Sequence, residues 1–149
     1  MNGSAFVVGA YEHPVRKADH LTVMQLHAQV AKGALEDAGL DKSQVDGYFC
    51  AGDVPGLGAT AMIEYLNLRV RHLDTTECGG SAPIVHVAHA AQAIAAGRCR
   101  VALVTMAGRP RAARSAIRLR PPDPDAPETG FEQPYRPMTQ NMYGMAARR

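Results

Sequence analysis

Residues 81–108, SAPIVHVAHAAQAIAAGRCRVALVTMAG, set the tightest limit on what this chain folds into. The first part is alanine-rich and almost uncharged. Pro83 suits the first turn of a helix, where a missing N–H does no harm, and Gly97 suits its end. The second part, CRVALVTMAG, is an unbroken apolar run with β-branched residues. A strand without alternation is buried on both faces, as in parallel sheets covered by helices on each side. The pair therefore predicts a helix over 81–96 feeding a buried strand over 99–108, within a layered α/β fold.

The rest of the chain extends that pattern. AFVVGAY, residues 5–11, predicts a first buried strand, and EHPVRKADH a polar loop. Thr22 is the expected N-cap of a helix with apolar residues at Val23, Leu26, Val30 and Ala34, stopped by Gly39. This spacing sends His27 to the polar face, with no role. A short strand is expected at 47–51, then a glycine-rich loop over 52–58. That loop matches neither phosphate-binding glycine pattern and is read as a surface connection. ATAMIEYLNL predicts a shorter helix, and RHLDTTE a strand running into Cys78. Strands and helices thus alternate four to three, as expected for a mainly parallel mixed sheet with packed helices. Beyond Gly108 the sequence turns rich in arginine and proline, until MTQNMYGMAARR begins another helix. We divide the chain into an α/β domain at 1–108 and, at 109–149, a loop with the start of a loop-domain helix. The chain ends as though cut.

Composition narrows the function. With 46% hydrophobic and 20% charged residues the chain has the make-up of a globular protein. A net charge of +2 is too small for a nucleic-acid footprint, although arginines cluster between 109 and 120. Polar residues interrupt every apolar run before membrane-spanning length, and the N-terminus lacks a basic leader region. Cys50, Cys78 and Cys99 show no CxxC spacing, so neither a zinc site nor a disulfide framework is expected. A reducing, cytoplasmic setting follows.

Cys78 is the residue that carries chemistry. It stands where a strand turns into a helix, followed by Gly79 and Gly80, at the edge where open α/β sheets hold their ligands. A helix amino end stabilises a thiolate, and glycines let a substrate approach the main chain. Nearby N–H groups suit an acyl oxyanion. A nucleophile, a metal ligand and an ordinary buried cysteine all remain open on these grounds. Cys50 and Cys99, in or beside apolar runs, read as structural. His86 and His89 share a helix face with Gln92 but have no third ligand in sight, and read as a polar stripe or a subunit contact; no metal is expected.

DTTECGGSAPIVHVAHAAQAIAAG followed by CRVALVTMAG resembles the nucleophile region of thiolases, above all the sterol-carrier-protein-type and lipid-transfer-type thiolase-like proteins. FVVGAYEHPVRK and the helix after it are similar to their first strand and helix. GFEQPYRP and NMYGMAARR resemble the entry to their loop domain. The resemblance implies an N-terminal thiolase half in which Cys78 is the residue acylated and Gly79, Gly80 and Ser81 are the small residues beside it. Arg109 and Arg111 would approach coenzyme A. The implied activity is acyl transfer in lipid metabolism, either thiolysis of a 3-ketoacyl-CoA or the reverse condensation. An acyl-CoA is then the substrate, and no cofactor is needed.

The same resemblance implies that a histidine, a second cysteine and an oxyanion-hole residue come from a C-terminal half. A homo-oligomer or that complementary half is therefore the expected partner. Two other readings accompany it. One is a lipid-transfer-type retro-aldolase working with a small acyl-CoA-binding protein, where Cys78 is dispensable. The other is a non-catalytic assembly module, where Cys78 is shielded.

Overall fold

A computed structural model describes residues 5–52, 54, 56–111, 125 and 139–148. By contacts the chain divides into Met1–Ser115 and Ala116–Arg149. In the second unit the described element is a helix, Thr139–Ala147, whose Met142, Tyr143 and Met145 are exposed.

The first unit is an α/β layer. Its helices are α1 (Val23–Ala38), α2 (Ala59–Leu66) and α3 (Ala82–Ala95), and its strands are β1 (Gly47–Gly52), β2 (His72–Asp74) and β3 (Ala102–Ala107). The Thr139–Ala147 helix is α4. The strands form a sheet in the order β2-β1-β3, with both pairings parallel. Register runs from Gly47 opposite His72 and Ala102 to Gly52 opposite Ala107. All three carboxyl ends therefore lie along one edge.

Side-chain alternation along β1 divides the core. Tyr48 and Cys50 point into a cluster with Ala31 of α1 and Ala59, Met62 and Leu66 of α2. Phe49, between them, points into a second cluster with Ala90 and Ala93 of α3 and with Cys99. Successive residues of a strand face opposite ways, so one short strand anchors helices on both sides. The amino ends of the strands are gathered by Asp46. Its carboxylate accepts hydrogen bonds from the N–H groups of Arg100 (2.7 Å) and Val101 (2.9 Å), and its carbonyl from Arg71 N–H (2.7 Å).

Helix α1 starts as the sequence predicts. Thr22 Oγ1 accepts from Gln25 N–H at 3.1 Å while Gln25 Oε1 accepts from Thr22 N–H at 2.8 Å, a reciprocal capping box. Gly39 closes the helix in the left-handed conformation, at φ 65°. Its buried stripe keeps Leu26 of the expected set but is rotated away from Val23, Val30 and Ala34, which are only partly buried. His27 and Ala31 are buried, and Met24, Ala28 and Leu35 pack beside them. The face at Gly33, Ala34 and Ala38 meets the N-terminal segment instead. A Cβ on Gly9 would fall 2.5 Å from the Ala34 carbonyl oxygen, and one on Gly33 would strike the Tyr11 ring at 2.4 Å.

That contact corrects the first expected strand. Residues 5–11 form no strand, and Ala10 N–H donates to the Asp37 carboxylate on α1 at 2.9 Å instead of to a neighbouring strand. Phe6, Val7 and Val8 are 79%, 79% and 64% exposed, so their apolar character is unused by this chain's sheet. The segment has the composition of a buried strand but no pairing partner among the described residues.

Candidate functional site

Cys78 lies four residues past β2 and three before the N-cap Ser81 of α3, at the carboxyl edge of the sheet. It is exposed, whereas Cys50 and Cys99 are each 1% exposed. Gly79 takes the left-handed conformation, at φ 69°, which turns the chain from strand to helix. A Cβ added at Gly79 or Gly80 would meet nothing within 4 Å, so the main chain beside the sulfur is open. Ser81 is exposed and caps α3 without a side-chain hydrogen bond.

The loop is held from within. Asp74 Oδ1 accepts from Thr76 N–H (2.8 Å) and from the Thr76 hydroxyl (2.7 Å), and Asp74 Oδ2 lies 2.5 Å from His89 Nδ1. Burial works to raise the Asp74 carboxyl, but the Thr76 bonds and then His89 outweigh it and hold it down to about 2. His89 stands two turns into α3, a rise of about 12 Å from Ser81. Through Asp74 it anchors the loop that carries Cys78. Glu77 accepts from Gly79 N–H at 2.8 Å, which sets a carboxylate beside Cys78 and occupies one donor of the turn.

His86 differs from the polar stripe expected of it, whereas His89 is partly exposed. His86 is fully buried, its ring 6.1 Å from that of Phe49, and neither ring nitrogen has a partner. His27 is fully buried as well, a correction forced by the rotated face of α1. Its Nδ1 lies 2.9 Å from Thr105 Oγ1, which lies 2.7 Å from the Tyr48 hydroxyl, and Cys50 Sγ sits 4.0 Å from the same nitrogen. Burial pulls His27 down to about 4 and pushes the Tyr48 hydroxyl and the Cys50 thiol up. Sequence spacing does not reveal this cluster, because its members lie on three elements. Cys50 and Cys99 are buried as expected, and burial raises the Cys99 thiol. No group of three or more His, Cys, Asp or Glu side chains able to hold a metal occurs among the described residues. Nor is any described helix long and apolar enough to cross a membrane.

The arginines separate. Arg111 is exposed. Arg109, two residues past β3, lines an open cleft of about 630 Å³ with Thr22 to Gln25 of α1, Val54 and Tyr65. Cys78 and its glycines do not line this cleft. Residues 112–120 of the arginine cluster lie outside the described residues, as does most of the arginine- and proline-rich loop.

No protein-family model matches the chain, and no curated protein matches it in sequence. Solved structures do match in fold. Similarity to an Ltp2–ChsH2(DUF35) aldolase has a TM-score of 0.72 at 23% identity, covering 87% of this chain and 33% of that one. A monomeric SCP2-thiolase-like protein type 1 from Mycobacterium smegmatis matches with TM-score 0.54 at 22% identity, over 66% of this chain and 22% of its own. An acetyl-CoA acetyltransferase from Syntrophomonas wolfei gives 0.54 at 22%, over 66% and 27%. The chain thus shares the fold of one part of these thiolase-like structures, and spans a third or less of their length.

Proposed function

We propose that this chain supplies the acyl-accepting half of a thiolase-like acyltransferase acting on acyl-CoA thioesters, with Cys78 as nucleophile. The carrying observation is the exposure of Cys78 at the turn from β2 into α3, beside open glycine backbone. In thiolysis the Cys78 thiolate attacks the 3-keto carbon of a 3-ketoacyl-CoA. The bond between carbons 2 and 3 breaks, and its electron pair leaves with carbon 2, which takes a proton as acetyl-CoA departs. The thiol of a second coenzyme A then attacks the enzyme thioester, and the sulfur is released. Splitting the reaction in this way replaces one difficult step by two easier ones.

The proton donor and acceptor for these steps come from a complementary half or a second copy. The outer face of α3 supports such a partner: Ile84 and Val87 are 74% and 47% exposed, on a helix whose opposite face is already buried. A helix apolar on all sides is one that sits between two layers.

The test is mass spectrometry of the full chain after incubation with hexanoyl-CoA. A hexanoyl adduct confined to Cys78 and absent from Cys78→Ser is expected. An adduct on Cys50 or Cys99 in place of Cys78 refutes the assignment.

A second reading, a retro-aldolase of the lipid-transfer type working with a small acyl-CoA-binding protein, draws on one observation: the fold match with TM-score 0.72 is to an aldolase. Unchanged carbon–carbon cleavage by Cys78→Ala would support the aldolase. Exposure of Cys78 runs against the third reading, a module in which that sulfur is shielded.

A further inference from the structure

The cleft at Arg109 is separate from the Cys78 turn and unused by the chemistry above. It opens at the carboxyl edge of the sheet, where Val54 follows β1, Arg109 follows β3, and α1 begins. That edge is where parallel sheets leave a crevice.

Arg109 is fixed but incompletely paired. Its Nη1 donates to the Leu21 carbonyl at 2.7 Å, while its Nε is buried and has no partner. A guanidinium tethered through Nη1 keeps its Nε–Nη2 edge, two parallel N–H groups at the spacing of a carboxylate's oxygens. No carboxylate pairs with Arg109 among the described residues. The first turn of α1, which shares the cleft, contains no acidic residue either. An arginine beside a capped helix amino end that carries no acidic residue favours an anion. The remaining walls select its body. Thr22 and Gln25 line the cleft too, their side chains engaged in the cap of α1. Val23, Met24, Val54 and the Tyr65 ring favour hydrocarbon over a second charge, because a doubly charged group gives up more hydration than these walls return.

We propose that this cleft binds a small monocarboxylate with a short hydrocarbon body, its carboxylate held side-on by Arg109 and its hydrocarbon against Val23, Met24, Val54 and Tyr65. The proposal is independent of the role of Cys78.

The test is an NMR titration of the isotope-labelled full chain with hexanoate, hexan-1-ol and inorganic phosphate. Hexanoate is expected to give saturable shifts at the Val23, Met24 and Val54 amides and at Arg109 Nε–H. Hexan-1-ol and phosphate should each bind at least tenfold more weakly. Arg109→Gln should weaken hexanoate at least tenfold and leave hexan-1-ol unchanged, while Cys78→Ser should leave hexanoate binding intact. Equal binding of hexan-1-ol, or shifts confined to another surface, overturns the proposal on the unmodified chain even if Arg109→Gln fails to fold. Phosphate binding as tightly as hexanoate overturns the assignment of a hydrocarbon ligand.

Discussion

His89 Nδ1 lies 2.5 Å from Asp74 Oδ2, so the last residue of β2 is tied to the second turn of α3. Both ends of the loop that presents Cys78 are thereby fixed, by a bond between residues 15 apart in sequence. Asp74→Asn weakens this bond and those from Thr76, at an expected loss of about 2 kcal/mol. The carboxyl is held down to about 2, below its unfolded value of 3.8. The unfolded chain therefore binds the proton first as pH falls. The stabilisation is complete above about pH 4 and disappears towards pH 2. Urea unfolding at pH 5 and pH 3 should show a loss in the parent chain that Asp74→Asn reduces by about half, the remainder belonging to His27.

His27 carries a second acid sensitivity at higher pH. Burial lowers it from 6.5 to about 4. Between those values the unfolded chain takes up a proton that the folded chain refuses, so stability falls as pH drops from 6.5 towards 4. The full effect is about 3 kcal/mol. His27→Gln should flatten the dependence of the urea midpoint on pH between 7 and 5. A slope equal to the parent's would contradict the buried neutral ring.

The cysteines should separate under alkylation. Cys78 is exposed, while Cys50 and Cys99 are buried with their thiols pushed up by burial. Iodoacetamide at neutral pH should place one label on the folded chain, at Cys78, at least tenfold faster than on the others. All three should react in urea. Comparable labelling of Cys50 in the folded chain would show that β1 opens readily.

Asp46 joins the amino ends of all three strands, through its carboxylate to the chain entering β3 and through its carbonyl to β2. Asp46→Ala leaves the Arg100 and Val101 N–H groups without their acceptor and should cost about 3 kcal/mol. Both N–H groups donate to Oδ1, so Asp46→Asn can keep both bonds without their charge and should lose about half as much. Urea unfolding measures both.

Ile84 tests the outer face of α3. Because it is 74% exposed in this chain, Ile84→Glu should change the unfolding midpoint of the isolated monomer little, by about 0.5 kcal/mol at most. If α3 sits against a partner, sedimentation should show the substituted chain dissociating at concentrations where the parent associates. Equal sedimentation of the two would remove that face as the contact.

The α/β class, the three helices of the first unit and the strands at β1, β2 and β3 were legible in the sequence, because periodicity, caps and glycine stops are local signals. Local cues also located Cys78 at a strand-to-helix turn. Which face of α1 is buried was decided by the tertiary structure. The N-terminal segment claims one side through Gly9 and Tyr11, and the sheet claims the side with His27. Residues 5–11 read as a strand because their composition is that of one, but strand pairing needs a neighbour, and no local pattern supplies one. The Asp74–His89 tie, the His27 cluster and the Arg109 cleft each unite residues from elements distant in sequence. Their chemistry depends on burial and approach, which arise only when helices pack on both faces of the sheet.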